Sequence, residues 1–206
     1  MAPAFTDDEL FLLRALALRT PSIHHAVARI AQLRARLALP MGTVHVFSDV
    51  HGEDEKLRHI INNASGRIGP LVDALLPEDT DADRRLLLNL VYYPREVLHE
   101  REVDGPFLRW AVNRQMALLR SLSRDSTLER LRETIEPAWR SIVLELIAAP
   151  SLGTSEAYID AMLSAIADTG NAATFLRRLS HAIRNLSVEE ILVAGDLGDR
   201  GPRIDK

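Results

Sequence analysis

The sequence predicts a helix-dominated α/β fold, and three observations carry that reading. Thr43-Val44-His45-Val46-Phe47-Ser48 is β-branched and aromatic without helical spacing, and it runs into Asp49-Val50-His51-Gly52-Glu53. A second short apolar run, Ile191-Leu192-Val193-Ala194, leads into Gly195-Asp196-Leu197-Gly198-Asp199-Arg200-Gly201-Pro202. Between them, about 120 residues carry helical spacing.

Each element has its own local cause. Thr6-Asp7-Asp8-Glu9 is a capping box, and Leu10, Leu13, Ala17 and Leu18 follow on one helical face. Thr20-Pro21 restarts the pattern, with Pro21 expected in a first helical turn. Ile23, Val27, Ile30, Leu33 and Leu37 then recur at spacings of three and four until Pro40. After the first strand, Leu57, Ile60 and Ile61 give a helix ending near Ser65-Gly66. Further helices are marked by Leu71 to Leu76, Leu86 to Val91, Phe107 to Leu122, Ile142 to Ile147, Tyr158 to Ile166, and Phe175 to Leu186. Breaks are expected at Pro77, Pro94, Gly105, Pro150-Ser151-Leu152-Gly153 and Gly170. An ordinary crossover between parallel strands takes only ~30 residues. The simplest organisation is therefore N-terminal helices over 1–40, a strand-loop-helix over 41–66, a helical insertion over 67–186, and a second strand with its acidic loop over 187–206. The two strands are expected to be neighbours in one sheet.

Composition narrows the function classes. The 206 residues are 47% apolar and 26% charged, which is ordinary for a globular protein. A formal charge of −4 and 5% aromatics argue against a nucleic-acid partner. No apolar run reaches the ~20 residues of a membrane span. The acidic start MAPAFTDDEL is unlike a secretory signal, so a cytoplasmic location is expected and no membrane partner. Cysteine is absent, so any metal must be held by His, Asp or Glu.

The chemistry gathers in the two acidic loops. In extended backbone, Asp49 and His51 stand two apart and point the same way, which suits two ligands on one metal. Asp196, at the second strand end, offers a further carboxylate to that metal or to a pair. Mixed carboxylate and imidazole donors suit manganese, iron or zinc better than calcium. A metal pair of that kind activates water and clamps phosphoryl oxygens. Arg200 adds a planar fork for phosphate.

Asp-x-His-Gly followed by Gly-Asp-x-x-Asp-Arg-Gly resembles the first two signature motifs of the calcineurin-like metallophosphoesterases. Phe47-Ser-Asp-Val-His-Gly-Glu-Asp-Glu-Lys56, Ile60-Ile-Asn-Asn-Ala-Ser-Gly66 and Val91-Tyr-Tyr-Pro94 further resemble the bacterial class III fructose-1,6-bisphosphatases, which also carry a long helical insertion between those motifs. The fold implied is the N-terminal part of a metallophosphatase α/β core with a large all-helical insertion. The roles implied are Asp49 and His51 as ligands of one metal, Asp196 as the bridging carboxylate, Asp199 as the acid orienting a catalytic histidine, and Arg200 as the phosphate ligand. The reaction implied is hydrolysis of fructose 1,6-bisphosphate to fructose 6-phosphate and phosphate, with a dinuclear Mn2+ site. A sugar bisphosphate is then the small-molecule partner, and a homo-oligomer is compatible with the sequence.

The family's later Gly-Asn-His motif has no match in these residues, which suggests the N-terminal third of a longer enzyme whose 206 residues are inert alone. Two alternatives stay open. One is another phosphoesterase of the superfamily, acting on phosphoproteins or dinucleoside polyphosphates, although the 147 positions from Asp49 to Asp196 exceed the usual short connection. The other is a non-catalytic helical interaction module. The remaining histidines read as ordinary: His24 and His25 mid-helix, His45 packed in the strand, His59 behind the site, and His99 and His181 within the insertion. Asp79, Asp81 and Asp83 read as an acid-rich helix start. Arg29, Arg34 and Arg36 read as a solvated face.

Overall fold

Two short strands lie side by side despite their distance in sequence. In the computed structural model, which describes residues 5–195 with the side chain of Ser65 left aside, β1 (Val44–Phe47) pairs in parallel with β2 (Glu190–Val193). Val44 stands opposite Glu190 and Phe47 opposite Val193, so both strands run out at the same edge. The expected adjacency is therefore found. Three contacts fix the register at the entry side. The Glu189 N–H donates to the Thr43 carbonyl at 2.8 Å. The Arg67 guanidinium donates to the Thr43 hydroxyl at 2.6 Å and to the Ser187 carbonyl at 3.1 Å. Gly42 lets the two chains approach, since a Cβ there would meet Glu189 Cβ at 2.5 Å.

The chain divides after Pro40 into two units. The first holds α1 (Asp7–Arg19) and α2 (Ile23–Leu37), and none of their residues is buried. Thr6 caps α1 in the expected capping box, its backbone N–H donating to the Glu9 carboxylate at 2.8 Å. Pro21 does not enter α2. Ser22 is extended and its hydroxyl accepts from the His25 N–H, so the cap falls one residue after the proline. His24 and His25 consequently occupy the first turn rather than the middle of the helix.

The second unit strings β1, α3 (Asp54–Asn62), α4 (Ile68–Leu75), α5 (Asp81–Tyr92), α6 (Pro94–Glu100), α7 (Gly105–Ser123), α8 (Leu128–Thr134), α9 (Arg140–Leu152), α10 (Glu156–Asp168), α11 (Ala172–Ser187) and β2. Its core lies where α11 packs on α5 and α7. Phe175, Leu176, Leu179 and Ile183 meet Leu108, Met116, Leu118, Leu119, Leu87 and Leu90, all essentially inaccessible. Each such side chain contributes roughly 1.5–3 kcal/mol by leaving water. Gln115 is buried among them and donates to the Ser180 hydroxyl at 2.8 Å, which in turn reaches the Leu90 carbonyl at 2.9 Å. The acid-rich start at Asp81 is capped by Thr80, while Asp79 grips Arg114 with both oxygens at 2.6 and 2.7 Å.

The breaks at Pro94 and within residues 150–153 fall where expected, and three details go beyond that reading. Pro94 ends α5 but also opens α6, because proline suits a first helical position. Pro150 does not break α9. A proline there leaves the Leu146 carbonyl without its helical donor, and the Arg120 guanidinium supplies one at 2.6 Å. The seven-residue α8 was not expected, since only Leu128 and Leu131 mark its apolar face. It matters for the sheet: Arg130 on α8 donates to the Val188 carbonyl at 2.6 Å, just before β2.

Candidate metal centre

The parallel pairing ends both strands at one edge of the sheet, the kind of edge where α/β proteins place their ligands. The Ala194 N–H donates to the Phe47 carbonyl at 2.7 Å, so β2 is still held to β1 as it delivers the chain to Gly195. Asp196, Asp199 and Arg200 lie outside the described residues. Asp49 and His51 are described, and they are not extended as the sequence suggested.

Both have left-handed backbone, with φ of 54° at Asp49 and 48° at His51. Gly52 follows at 71°, and the Glu53 N–H closes a tight turn on the Val50 carbonyl at 3.0 Å. Positive φ at both central residues of such a turn favours glycine, which explains Gly52 and leaves His51 strained. A non-glycine residue in this region carries a penalty of roughly 1–2 kcal/mol. Among the described residues only Asp49, His51 and Ala64 share that conformation without being glycine. Two of the three are the expected ligands, and backbone strain of this kind collects at functional sites.

The turn, rather than an extended pleat, brings the two donors together. His51 Nε2 and Asp49 Oδ1 stand 3.7 Å apart, with Asp49 the more exposed of the two. Donors that each sit ~2.1 Å from one cation can be at most ~4.2 Å apart, so this pair fits a single ion. Among the described residues no group of three or more His, Asp or Glu donors converges, at this turn or away from it. A hollow of about 160 Å³ adjoins the turn, lined by Phe47, Ser48, Asp49, Val50, Glu53, Lys56, Leu57 and Ile60. Lys56, in the first turn of α3 and at the end of the motif over residues 47–56, places a cation there that was not among the expected site residues.

The other motif segments brace α3 instead of adding ligands. His59 hydrogen-bonds the Tyr93 hydroxyl and stacks on its ring, with centroids 6.0 Å apart. Arg184 Nη1 donates to Asn62 Oδ1 at 2.9 Å and to the Tyr92 carbonyl at 3.1 Å. Asn63 Oδ1 accepts from the Gly66 N–H at 3.1 Å, closing the helix end. Thus Ile60–Gly66 and Val91–Pro94, distant in sequence, meet behind the helix that follows the turn. His45 is buried in β1, edge-on to Phe47.

Comparison with known proteins places these motifs in context. A family model described as Firmicute fructose-1,6-bisphosphatase matches residues 11–206. The chain is 32% identical over 207 residues to a class 3 fructose-1,6-bisphosphatase of Clostridioides difficile, covering 98% of this chain and 31% of that protein. It is 30% identical over 202 residues to the one from Parabacteroides distasonis, covering 95% and 30%. For the enzyme of that name from Porphyromonas gingivalis the figures are 32% over 200 residues, 94% and 30%. The chain therefore spans about a third of the length of the curated relatives it matches. No solved structure matches it.

Proposed function

The chain belongs to the Firmicute fructose-1,6-bisphosphatase family, and from that membership we propose that the protein hydrolyses fructose 1,6-bisphosphate to fructose 6-phosphate and phosphate. The observation that carries the reading is the strained Asp49-Val50-His51-Gly52 turn at the carboxyl end of β1, with its two donors 3.7 Å apart. In this reading Asp49 and His51 would hold a metal ion, and Asp196 would add a further carboxylate to a dinuclear site. Manganese is the metal proposed, in keeping with mixed carboxylate and imidazole donors. When bound, the metal pair supplies Lewis-acid charge and an activated water.

The chain's own residues then position the substrate. Arg200 grips the departing phosphoryl group through two parallel N–H donors, which a lysine cannot reproduce. Asp199 would be the acid that orients a catalytic histidine, as the family resemblance implies. Lys56, at the rim of the hollow, adds a point charge that draws the bisphosphate toward the turn. The overall charge of −4 makes that local cation the more useful. A cytoplasmic setting is part of the proposal; among the described residues no helix is long and apolar enough to cross a membrane.

Phosphate release from a panel of sugar bisphosphates, phosphopeptides and dinucleoside polyphosphates, with manganese and with chelator, tests it. In a chain of the relatives' full length, turnover is expected with fructose 1,6-bisphosphate and only with metal. Arg200→Lys is expected to keep the metal and weaken inhibition by inorganic phosphate. Preference for a phosphopeptide, or full turnover in chelator, contradicts the proposal.

A further inference from the structure

The insertion carries a cationic hollow that the metal turn does not use. It measures about 200 Å³ and is lined by Pro94, Arg95, Arg177, Arg178, His181 and Arg184. The spacing 177, 178, 181, 184 puts four of these on one face of α11. Arg95, one residue into α6, closes the opposite wall. We propose that this hollow is a binding site for a small phosphate-bearing anion, separate from the phosphate hydrolysed at the metal turn.

Charge counting makes the case. Four guanidiniums surround the hollow, and two carboxylates stand near them. Glu136 pairs with Arg178 at 2.5 Å, and Glu96 acts on Arg184 only at longer range. Arg95 makes no ion pair among the described residues, and Arg177 bonds only the neutral Thr174 hydroxyl, at 3.0 Å. The cluster thus holds more positive charge than its neighbours balance, in a concave site where like charges repel. The effect is visible on His181. Burial, then the nearby Arg184 and Arg178, hold its imidazole below the usual histidine range against the weaker pull of Glu136. Neutral His181 has its Nε2 beside the Asn185 amide at 2.9 Å, which leaves Nδ1 to carry the proton as a further neutral donor. Arginine forks and neutral N–H donors around one cavity match phosphate oxygens.

The hollow is distinct from the metal turn. Arg184 is tied to Asn62, the last residue of α3, whereas the turn precedes the first. At 1.5 Å per residue, about 12 Å of helix lies between them. The same tie gives an occupant of the hollow a route to the site, because Arg184 bridges α11, Asn62 and the Tyr92 carbonyl.

The test is calorimetric titration of the metal-stripped protein with inorganic phosphate and with pyrophosphate. One anion per chain is expected to bind, equally in wild type and in Asp49→Asn. Arg95→Gln with Arg177→Gln removes two charge-assisted contacts and is expected to weaken binding about tenfold or more. Both residues are exposed, so these variants keep the fold, checked by circular dichroism; Arg177→Gln alone gives a smaller loss in the same direction. Arg124→Gln with Arg132→Gln removes equal charge from exposed positions outside the hollow and is expected to leave binding unchanged. Binding lost in Asp49→Asn but kept in the Arg95/Arg177 pair overturns the site. So does an equal loss in both arginine pairs, or the absence of any stoichiometric binding.

Discussion

The helical body and the sheet edge are built from equally apolar residues and end in opposite states. Leu179 and Ile183 on α11 are 1% and 0% exposed, while Leu192 and Val193, only a few residues later on β2, are 45% and 49% exposed. Helices α5, α7 and α11, separated in sequence, close a core against one another. Among the described residues the two strands pair with each other alone, and Leu192 and Val193 stay about half exposed. The difference teaches that stability and chemistry are separated here: the insertion carries the packing, and the sheet edge holds a strained turn in place.

Core truncation separates the two regions most sharply. Phe175→Ala is expected to cost about 3–5 kcal/mol in chemical denaturation, because it removes a fully buried ring beneath Trp139. Leu192→Ala is expected to stay within about 0.5 kcal/mol, as for other exposed positions. Comparable losses in the two variants would break the comparison.

Gly42→Ala attacks the sheet edge without touching the core. Its added methyl meets Glu189, so β1 and β2 must part at their entry, at a cost of about 1–3 kcal/mol. Thermal melting reads the loss, and hydrogen exchange at Glu189 and Ala194 is expected to rise while α11 stays protected.

Asp79→Ala tests a polar tie within the helical body. Arg114 loses a two-point partner that is itself only 13% exposed, and keeps its seat over the Trp110 ring at 4.7 Å. The expected cost is about 1.5–3 kcal/mol by urea denaturation. A change below 0.5 kcal/mol would show that the cation–π seat suffices.

How much of this was legible in the sequence follows from the range of each cause. Local causes read directly: the Thr6 capping box, the acid-rich helix start at Asp79, Asp81 and Asp83, and the β-branched run at Val44–Phe47. The neighbouring strands were legible from the motif order, although their register depends on Gly42, Arg67 and Arg130. Non-local causes did not read. Nothing near Pro150 announces that Arg120, thirty residues earlier, takes the carbonyl it strands. The candidate site divides in the same way. Asp49 and His51 were identifiable by residue type and order, but an alternating-strand argument gave the wrong geometry for them. The left-handed turn is set by Gly52 and by closure of Glu53 on Val50, neither of which a strand pattern encodes. The arginines of α11 were not singled out by the sequence patterns, and the matching Arg95 comes from a different element.

The most direct test of the central claim is metal content measured together with stability in Asp49→Ala, with Asp196→Ala as its counterpart. After equilibration with manganese and gel filtration, both variants, made in a chain of the relatives' full length, are expected to lose bound metal and fructose 1,6-bisphosphate hydrolysis together, while their denaturation midpoints stay near wild type because the helical core is intact. Undiminished metal and turnover in both would contradict the account, since the edge of the sheet would then not be where the metal is held.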